Sequence, residues 1–296
     1  MIGHFFRGEF CYISSAVLKI LALFFMLIDH IGVFIPNLPV YLHWIGRLSA
    51  PIFIFCSAWG FTYTSSKKNY LIRLYIASLV MAIIQYWLVI DNNFFRTLFS
   101  MCIIILLIDS YRNKDEKFKK YLYIYLTWQI ISVAICMVLI NVIFPSSLFV
   151  IYLLSALFGN VFFLEGGLVY VCLGVLIYLT KNNKKALAIA YTGFCVLYFI
   201  VTVKPYLPIF LGKLYAWGLP FLSDTIEYML DTIVGLRPMD IGGSMFFQSY
   251  QWMIIMALPF MLAYNSKRGK KMKYLFYIFY PVHIVILFYL GSMIHR

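Results

Sequence analysis

The chain has 296 residues, of which 64% are hydrophobic and only 12% charged, with a mean hydropathy of +0.89. Soluble domains carry about 25% charged residues, so the composition excludes an ordinary soluble fold, and no polar stretch is long enough to form a separate soluble domain. The net charge of +13 arrives in short clusters between apolar runs: Lys67-Lys68 with Arg73, Arg112 to Lys120, Lys181 to Lys185, and Lys267 to Lys273. Short basic loops stay on the cytoplasmic side of a membrane. The basicity therefore reads as a topology signal with some affinity for anionic lipid head groups, and nucleic-acid binding is not expected.

In chain order, the first fourteen residues lack a small-residue cleavage site, so no removable signal peptide is expected. Apolar runs of spanning length fall at roughly 15–36, 41–63, 69–90, 93–110, 120–144, 161–180, 185–203, 249–265 and 272–293. The fold class expected is an all-α integral membrane protein, a polytopic helical bundle of about nine or ten transmembrane helices of roughly 20 residues each. Residues 1–296 read as one polytopic domain of a multi-pass protein in the bacterial inner (plasma) membrane. With the basic loops inside, the N-terminus is cytoplasmic and the ninth span ends outside.

Two stretches fit no simple span. Pro145 to Asn160 is apolar but short, which suggests a re-entrant or interfacial segment. Pro205 to Gln248 carries Asp224, Glu227, Asp231, Arg237 and Asp240, and reads as an outer-face loop, about 205–248, containing short helices. No internal repeat is visible. The six cysteines (Cys11, Cys56, Cys102, Cys136, Cys172 and Cys195) form no C-x-x-C pair and mostly lie in apolar runs, so they read as structural thiols; no metal is expected.

Charged and imidazole side chains inside spans are costly and by default mark function. Asp29 and His30 are neighbours near the end of the first span. Their side chains point about 100° apart on a helix, so they need different partners. Arg47, toward the same end of the next antiparallel span, is the partner expected for Asp29. His283 lies near the middle of the last span, one turn after Tyr280 and next to Pro281. A second imidazole among five histidines suggests a site shared with His30. His30 is the candidate general base, because small perturbations bring an imidazole into the range for proton transfer at neutral pH. Lys19 lies on nearly the same face, eleven residues earlier and roughly 16 Å away along the axis. The small residues Ser57, Ala58 and Gly60 suit close helix packing. Glu165, before Gly166-Gly167, is expected to cap a helix start. His4, His43 and His295 receive no role.

These residues fall into recognisable blocks. Lys19 to Gly32 (KILALFFMLIDHIG) is followed by Gly46-Arg47-Leu48-x-x-Pro51-x-Phe53, then Gly60-Phe61-x-x-Thr64 and Tyr70-Leu71-x-Arg73-Leu74, and the chain closes on Tyr277 to His283 (YIFYPVH). In this order the blocks resemble the TraX family, over roughly the first 75 residues and the last 25. The resemblance implies a multi-span acetyltransferase, of the kind that N-acetylates pilin, related to membrane acyltransferases that O-acetylate cell-surface sugars. It implies acetyl-CoA as donor, and a peptide, glycan or lipid-linked acceptor. Carried over motif by motif, it points to Asp29, His30, Arg47, Lys19 and His283.

On this reading His30 takes the acceptor's proton and Arg47 stabilises the oxyanion in a dry site. Asp29 holds Arg47 or the acceptor. The donor's phosphates need a basic mouth, which Lys19, Lys67, Lys68, Arg73 and the Lys267 to Lys273 cluster (Lys270 within it) could supply. An acetyl-His30 intermediate is a second route. A different class, a transporter or flippase with an intramembrane Asp/His/Arg site, would also place paired charges at depth.

Overall fold

In a computed structural model, residues 13–145, 147–270, 272 and 274–294 are described. His4, Cys11, Lys271, Lys273 and His295 lie outside them. The described residues are helical throughout apart from connecting segments, with no strand beyond an isolated bridge between Ile13 and Tyr264. Among the described residues seven helices are long and apolar enough to cross a membrane: Ser15–Phe34, Tyr41–Thr62, Lys67–Leu88, Phe94–Arg112, Phe118–Ile143, Lys184–Ala216 and Leu275–Ile294. The protein is an all-helical, multi-pass membrane protein.

The other two expected spans are shorter apolar helices, Gly167–Thr180 and Tyr250–Leu262. The second has a particular construction. Tyr250–Ala257 is a 3-10 helix, and Pro259 then opens the α-helix Leu258–Leu262. A 3-10 helix rises about 2.0 Å per residue against 1.5 Å for an α-helix, so thirteen residues here reach about 23 Å. The segment Pro145 to Asn160 yields only the eleven-residue helix Leu148–Phe158, stopped by Gly159 in the left-handed conformation. The stretch 205–248 contains the short helices Tyr206–Ala216 and Pro220–Met229, one π turn at Leu230–Val234, and then irregular backbone.

The chain divides into two compact units. The first comprises Met1–Gly60, Leu176–Leu230 and Leu236–Arg296. Its helices are labelled α1 (Ser15–Phe34), α2 (Tyr41–Gly46), α3 (Ser49–Thr62), α4 (Lys184–Val203) and α5 (Leu275–Ile294). Ser14 caps α1, its hydroxyl accepting from Val17 N. The start of α1 is also tied by backbone bonds to a later loop: Ile13 N to Ala263 O (3.1 Å), Ser15 N to Lys267 O (2.9 Å) and Ala16 N to Arg268 O (3.1 Å). Those carbonyls satisfy donors that a helix start leaves open. Lys184, at the start of α4, donates to Leu262 O at 2.6 Å. The basic segments 181–185 and 267–270 are thus gathered at one end of this unit, around the start of α1.

The core of the first unit is apolar and closely packed, with Leu18, Ala22, Ile52, Tyr191, Ile254 and Ile284 among its buried side chains. Two polar ties cross it: Ser49 Oγ donates to Ala22 O (2.9 Å) and Tyr191 OH to Ile254 O (2.6 Å). Helix α5 lies against the end of α1 at Gly291, where a Cβ would collide with the carbonyl oxygen of Phe34. A smooth glycine surface is what lets two membrane helices approach this far.

The second unit comprises Phe61–Val175 and Asp231–Gly235, with helices α6 (Lys67–Leu88), α7 (Phe94–Arg112), α8 (Phe118–Val138) and α9 (Leu148–Phe158). Polar side chains here support non-helical backbone that hydrocarbon alone could not. Asn160 Nδ2 donates to Ser132 Oγ (2.7 Å) and Gln129 O (2.9 Å), and Gln129 Oε1 accepts from Val161 N (2.9 Å). Glu165 accepts from Asn93 N at the start of α7. It meets a helix start, though that of a helix some seventy residues earlier in the chain and not the one it precedes. Cys56, Cys102, Cys136 and Cys195 are buried, whereas Cys172 is exposed.

The Gly291 contact generates a prediction. Gly291→Ala forces α1 and α5 apart and lowers stability by about 1–3 kcal/mol, read as earlier unfolding of the purified protein on heating or in denaturing detergent. A methyl accepted there with no loss shows that the close approach is not needed.

Candidate active site

All four side chains expected to carry chemistry lie in the first unit. Helix α1 presents Asp29 and His30 about 22 Å beyond its start, at 1.5 Å per residue. Helix α2 and the turn into α3 present His43 and Arg47, and α5 presents His283.

Asp29 is held by two side chains at once. Arg47 NH2 reaches both carboxylate oxygens at 2.5 Å, and His43 Nδ1 lies 3.0 Å from Oδ1. An ionised carboxylate only accepts, so His43 Nδ1 carries the proton in that bond. Asp29 and Arg47 side chains are 15% and 22% exposed, which places the pair well out of water. The Asp29–Arg47 pairing expected from the sequence is therefore present. Arg47 is further committed: NH1 donates to Gln251 Oε1 (2.8 Å), Nε to His43 O (3.3 Å), and its Cζ sits 5.6 Å from the Tyr250 ring centre. Tyr250 also stacks on His43, with centroids 5.8 Å apart and planes within 12°.

Three of these partners were not anticipated. His43 received no role because it falls near the end of an apolar run, and Tyr250 and Gln251 carry no sequence signal. The one usable hint is that His43 and Arg47 are four apart, so they share a helix face. Gly46 explains its own place in the motif: a Cβ there would overlap Asp29 Cβ and Oδ1. Gly32 has a similar part, since a Cβ would come within 3.0 Å of His43 Cε1.

His30 and His283 form a second, adjoining pair. His30 Nδ1 and His283 Nε2 are 2.6 Å apart, with ring planes within 13°, and both residues are buried. The proton positions follow from one further contact. His283 Nδ1 lies 2.7 Å from the Phe279 carbonyl oxygen. A carbonyl can only accept, so His283 Nδ1 carries a proton. In the neutral ring Nε2 is then a bare acceptor, and His30 Nδ1 must donate to it. The proton on His30 is thereby fixed at Nδ1, which leaves the lone pair at Nε2. The chain of donors runs from His30 through His283 to the Phe279 carbonyl, and the basic atom of the site is His30 Nε2. Asp29, Arg47 and His43 are within electrostatic range of His30.

The expected donor-binding residues are distributed differently. Lys19 is half-buried one turn into α1, and Lys270 is exposed in the segment that borders the start of the same helix. Lys67, Lys68 and Arg73 belong to the second unit. Lys67 is paired with Asp109 at 2.8 Å, Lys68 is exposed, and Arg73 lies over the Tyr70 ring at 5.5 Å. In the first unit the cations gathered with Lys19 and Lys270 are Lys181, Lys184, Lys185, Lys267 and Arg268.

Substitutions at two positions test the geometry. Gly46→Ala pushes the Asp29 carboxylate off Arg47 and exposes an imperfectly paired buried charge, a loss on the order of 3 kcal/mol read by thermal unfolding. His283→Gln keeps an acceptor where Nε2 stood, whereas His283→Leu removes it and frees the His30 tautomer. Carbethoxylation of His30 by diethyl pyrocarbonate, followed by mass spectrometry, is expected to keep its wild-type rate in His283→Gln and to change several-fold in His283→Leu. Equal rates in both variants overturn the tautomer assignment.

The profile of the TraX protein family matches residues 14–209. The match takes in Lys19, Asp29, His30 and Arg47 and continues through the middle of the chain, where the sequence blocks showed no resemblance; His283, Tyr250 and Gln251 lie beyond it. No curated protein and no solved structure matches the chain. With the family profile covering well over half of its length, the chain belongs to the TraX family.

Proposed function

We propose that the protein is a membrane-embedded acetyltransferase. It moves an acetyl group from acetyl-CoA to an amine or hydroxyl of a peptide, glycan or lipid-linked acceptor. The observation that carries this reading is the buried His30–His283–Phe279 chain beside the Asp29–Arg47–His43 cluster, in a chain of the TraX family. Family membership supports the reaction class; the acceptor is named only by the chemistry His30 would serve.

His30 Nε2 removes the proton from the acceptor as its oxygen or nitrogen attacks the thioester carbonyl. A carbon–oxygen or carbon–nitrogen bond forms, and a tetrahedral oxyanion results. The carbon–sulfur bond then breaks, and His30 returns its proton to the departing thiolate. While His30 is an imidazolium its Nδ1–H remains bonded to His283. Arg47 contributes through its charge, because its Nε, NH1 and NH2 groups are occupied by His43 O, Gln251 and Asp29 respectively. Its first task is to hold Asp29, and the pair sets the field in which the oxyanion forms.

Lys19, Lys267, Arg268 and Lys270 are the proposed phosphate contacts, with Lys181, Lys184 and Lys185 at the same end. The positive-inside rule puts this end and the N-terminus in the cytoplasm, where the donor is. Lys67, committed to Asp109, is a weaker candidate than the sequence suggested.

The test is acetyl-CoA binding to detergent-purified protein by calorimetry, together with acetyl transfer from labelled donor. Replacing Lys267, Arg268 and Lys270 together by Gln is expected to weaken binding about tenfold, or about 1.4 kcal/mol. His30→Ala is expected to leave binding intact and lower transfer by about 10²–10⁴-fold. Absence of binding at millimolar donor by folded protein would favour the transporter or flippase class, and wild-type transfer by His30→Ala would remove His30 as the base.

A further inference from the structure

The second unit holds a cavity of ≈ 730 Å³ that the acyl-transfer reading does not use. It follows α7 from Phe99 to Asn113, a length of about 21 Å at 1.5 Å per residue. It is therefore a long slot, walled by α7 on one side and by α6, α8 and α9 on the others.

The body of the slot is apolar, with Ile103, Leu106 and Leu107 from α7, Ile124 from α8 and Leu157 from α9. Its inner end is dry by construction. The last carbonyls of α9 are each taken by a side chain: Tyr75 OH donates to Leu157 O (2.9 Å), Trp128 Nε1 to Phe158 O (2.9 Å) and Ser100 Oγ to Gly159 O (3.4 Å). An alkyl chain lying there leaves no backbone group unpaired.

The opposite end is polar and carries both signs of charge. Asp109, Ser110, Asn113 and Asp115 line it where α7 ends, and a helix C-terminus adds negative potential. Asp109 is ion-paired with Lys67. Asp115 accepts from Ser110 Oγ (3.2 Å) and Lys117 N (2.9 Å), and a carboxylate has further lone pairs to offer. Lys114 and Lys117 are exposed beside it. One turn deeper than Tyr121, the Tyr125 hydroxyl is buried with no hydrogen-bond partner among the described residues. A buried hydroxyl of this kind calls for an acceptor.

We propose that the slot binds one acyl chain of a zwitterionic membrane lipid whose head group carries a primary ammonium. The ammonium lies at Asp109 and Asp115, the phosphate faces Lys114 and Lys117, and an ester oxygen accepts from Tyr125. The sequence of groups along the slot (carboxylates, then a lone hydroxyl donor, then hydrocarbon) matches that of an aminophospholipid read from head to tail. A quaternary ammonium cannot donate hydrogen bonds to the carboxylates. A glycerol head brings no cation to them and sets its phosphate against them. The proposal is independent of the acyl-transfer reading.

The test offers delipidated full-length protein an equimolar mixture of phosphatidylethanolamine, phosphatidylcholine and phosphatidylglycerol with identical chains. Retained lipid is then read by native mass spectrometry. Wild type is expected to retain the ethanolamine lipid about tenfold over either competitor. Asp115→Asn is expected to bring it to within about threefold of the choline lipid. Ile103→Trp fills the slot and is expected to abolish retention of all three, with Leu107→Trp as a second blocking variant should the first not fold. Equal retention of the three lipids by wild type, a preference for choline or glycerol heads, or ethanolamine-lipid retention unchanged in a folded blocking variant overturns the proposal.

Discussion

The first unit is organised around one difficult group, the Asp29 carboxylate on a mostly apolar helix. An ionised carboxylate out of water is tolerated only when it is paired and hydrogen-bonded. Satisfying it recruits Arg47 and His43 from the following segment, and Arg47 in turn recruits Gln251 and stacks with Tyr250. Gly46 and Gly32 supply the clearance that lets these groups close in. Three stretches of chain, one of them some two hundred residues from the others, are thereby placed within ångströms of one another by the need to neutralise a single charge. His30, next along α1, inherits its position from that anchoring. Its side chain leaves the helix about 100° away from that of Asp29 and so faces a different neighbour, α5.

That neighbour determines which nitrogen of His30 can act. The Phe279 carbonyl admits one protonation state of His283 Nδ1, which admits one role for His283 Nε2, which fixes the proton of His30. The control is directional, running from backbone to second imidazole to first. Under either chemical route weighed for this fold, general base or acetyl-imidazole intermediate, the reacting atom is the same Nε2. His283 is better described as a positioning residue than as a second catalytic one, since nothing places it against the reacting atoms. Pro281, two residues earlier on α5, removes one helical donor and sits in the turn from which the Phe279 carbonyl reaches His283.

Much of this was legible in the residues because hydrocarbon makes polarity conspicuous. Asp29, His30, Arg47 and His283 stand out in runs of Leu, Ile and Phe, and the pairing of Asp29 with Arg47 follows from their shared depth on consecutive spans. Glu165 was legible as meeting a helix start for the same reason, though which helix was not. What escaped notice had no such contrast. His43 lies where an apolar run meets a boundary, and histidines there are unremarkable. Tyr250 and Gln251 enter the site from the start of a 3-10 helix, Tyr250–Ala257, whose tighter winding no periodicity in the sequence announces. The Phe279 carbonyl is backbone and has no sequence signature. Nor could spacing alone reveal that Lys67 is committed to Asp109, because the partner lies forty-two residues away on another helix. Charge contrast locates buried groups; it does not say which of several cations a carboxylate will take.

The separation between the two ends of α1 gives the proposed reaction its geometry. Lys19 and the loop that caps the helix start are cationic, and His30 stands eleven residues beyond Lys19, roughly 16 Å along the axis. A donor whose phosphates are held at the basic end can deliver its acyl carbon to His30 only through a long, thin and largely uncharged arm. A ligand charged along its whole length would have to bring that charge past Leu23 and Met26, which are buried in the apolar core. Under the proposed reaction the helix serves as a ruler and as a filter. It asks for phosphate at one end, a reactive acyl group at the other and nothing costly between; a pantetheine thioester meets all three demands, whereas a free acyl phosphate, with its phosphate bonded directly to the acyl carbon, cannot span the distance.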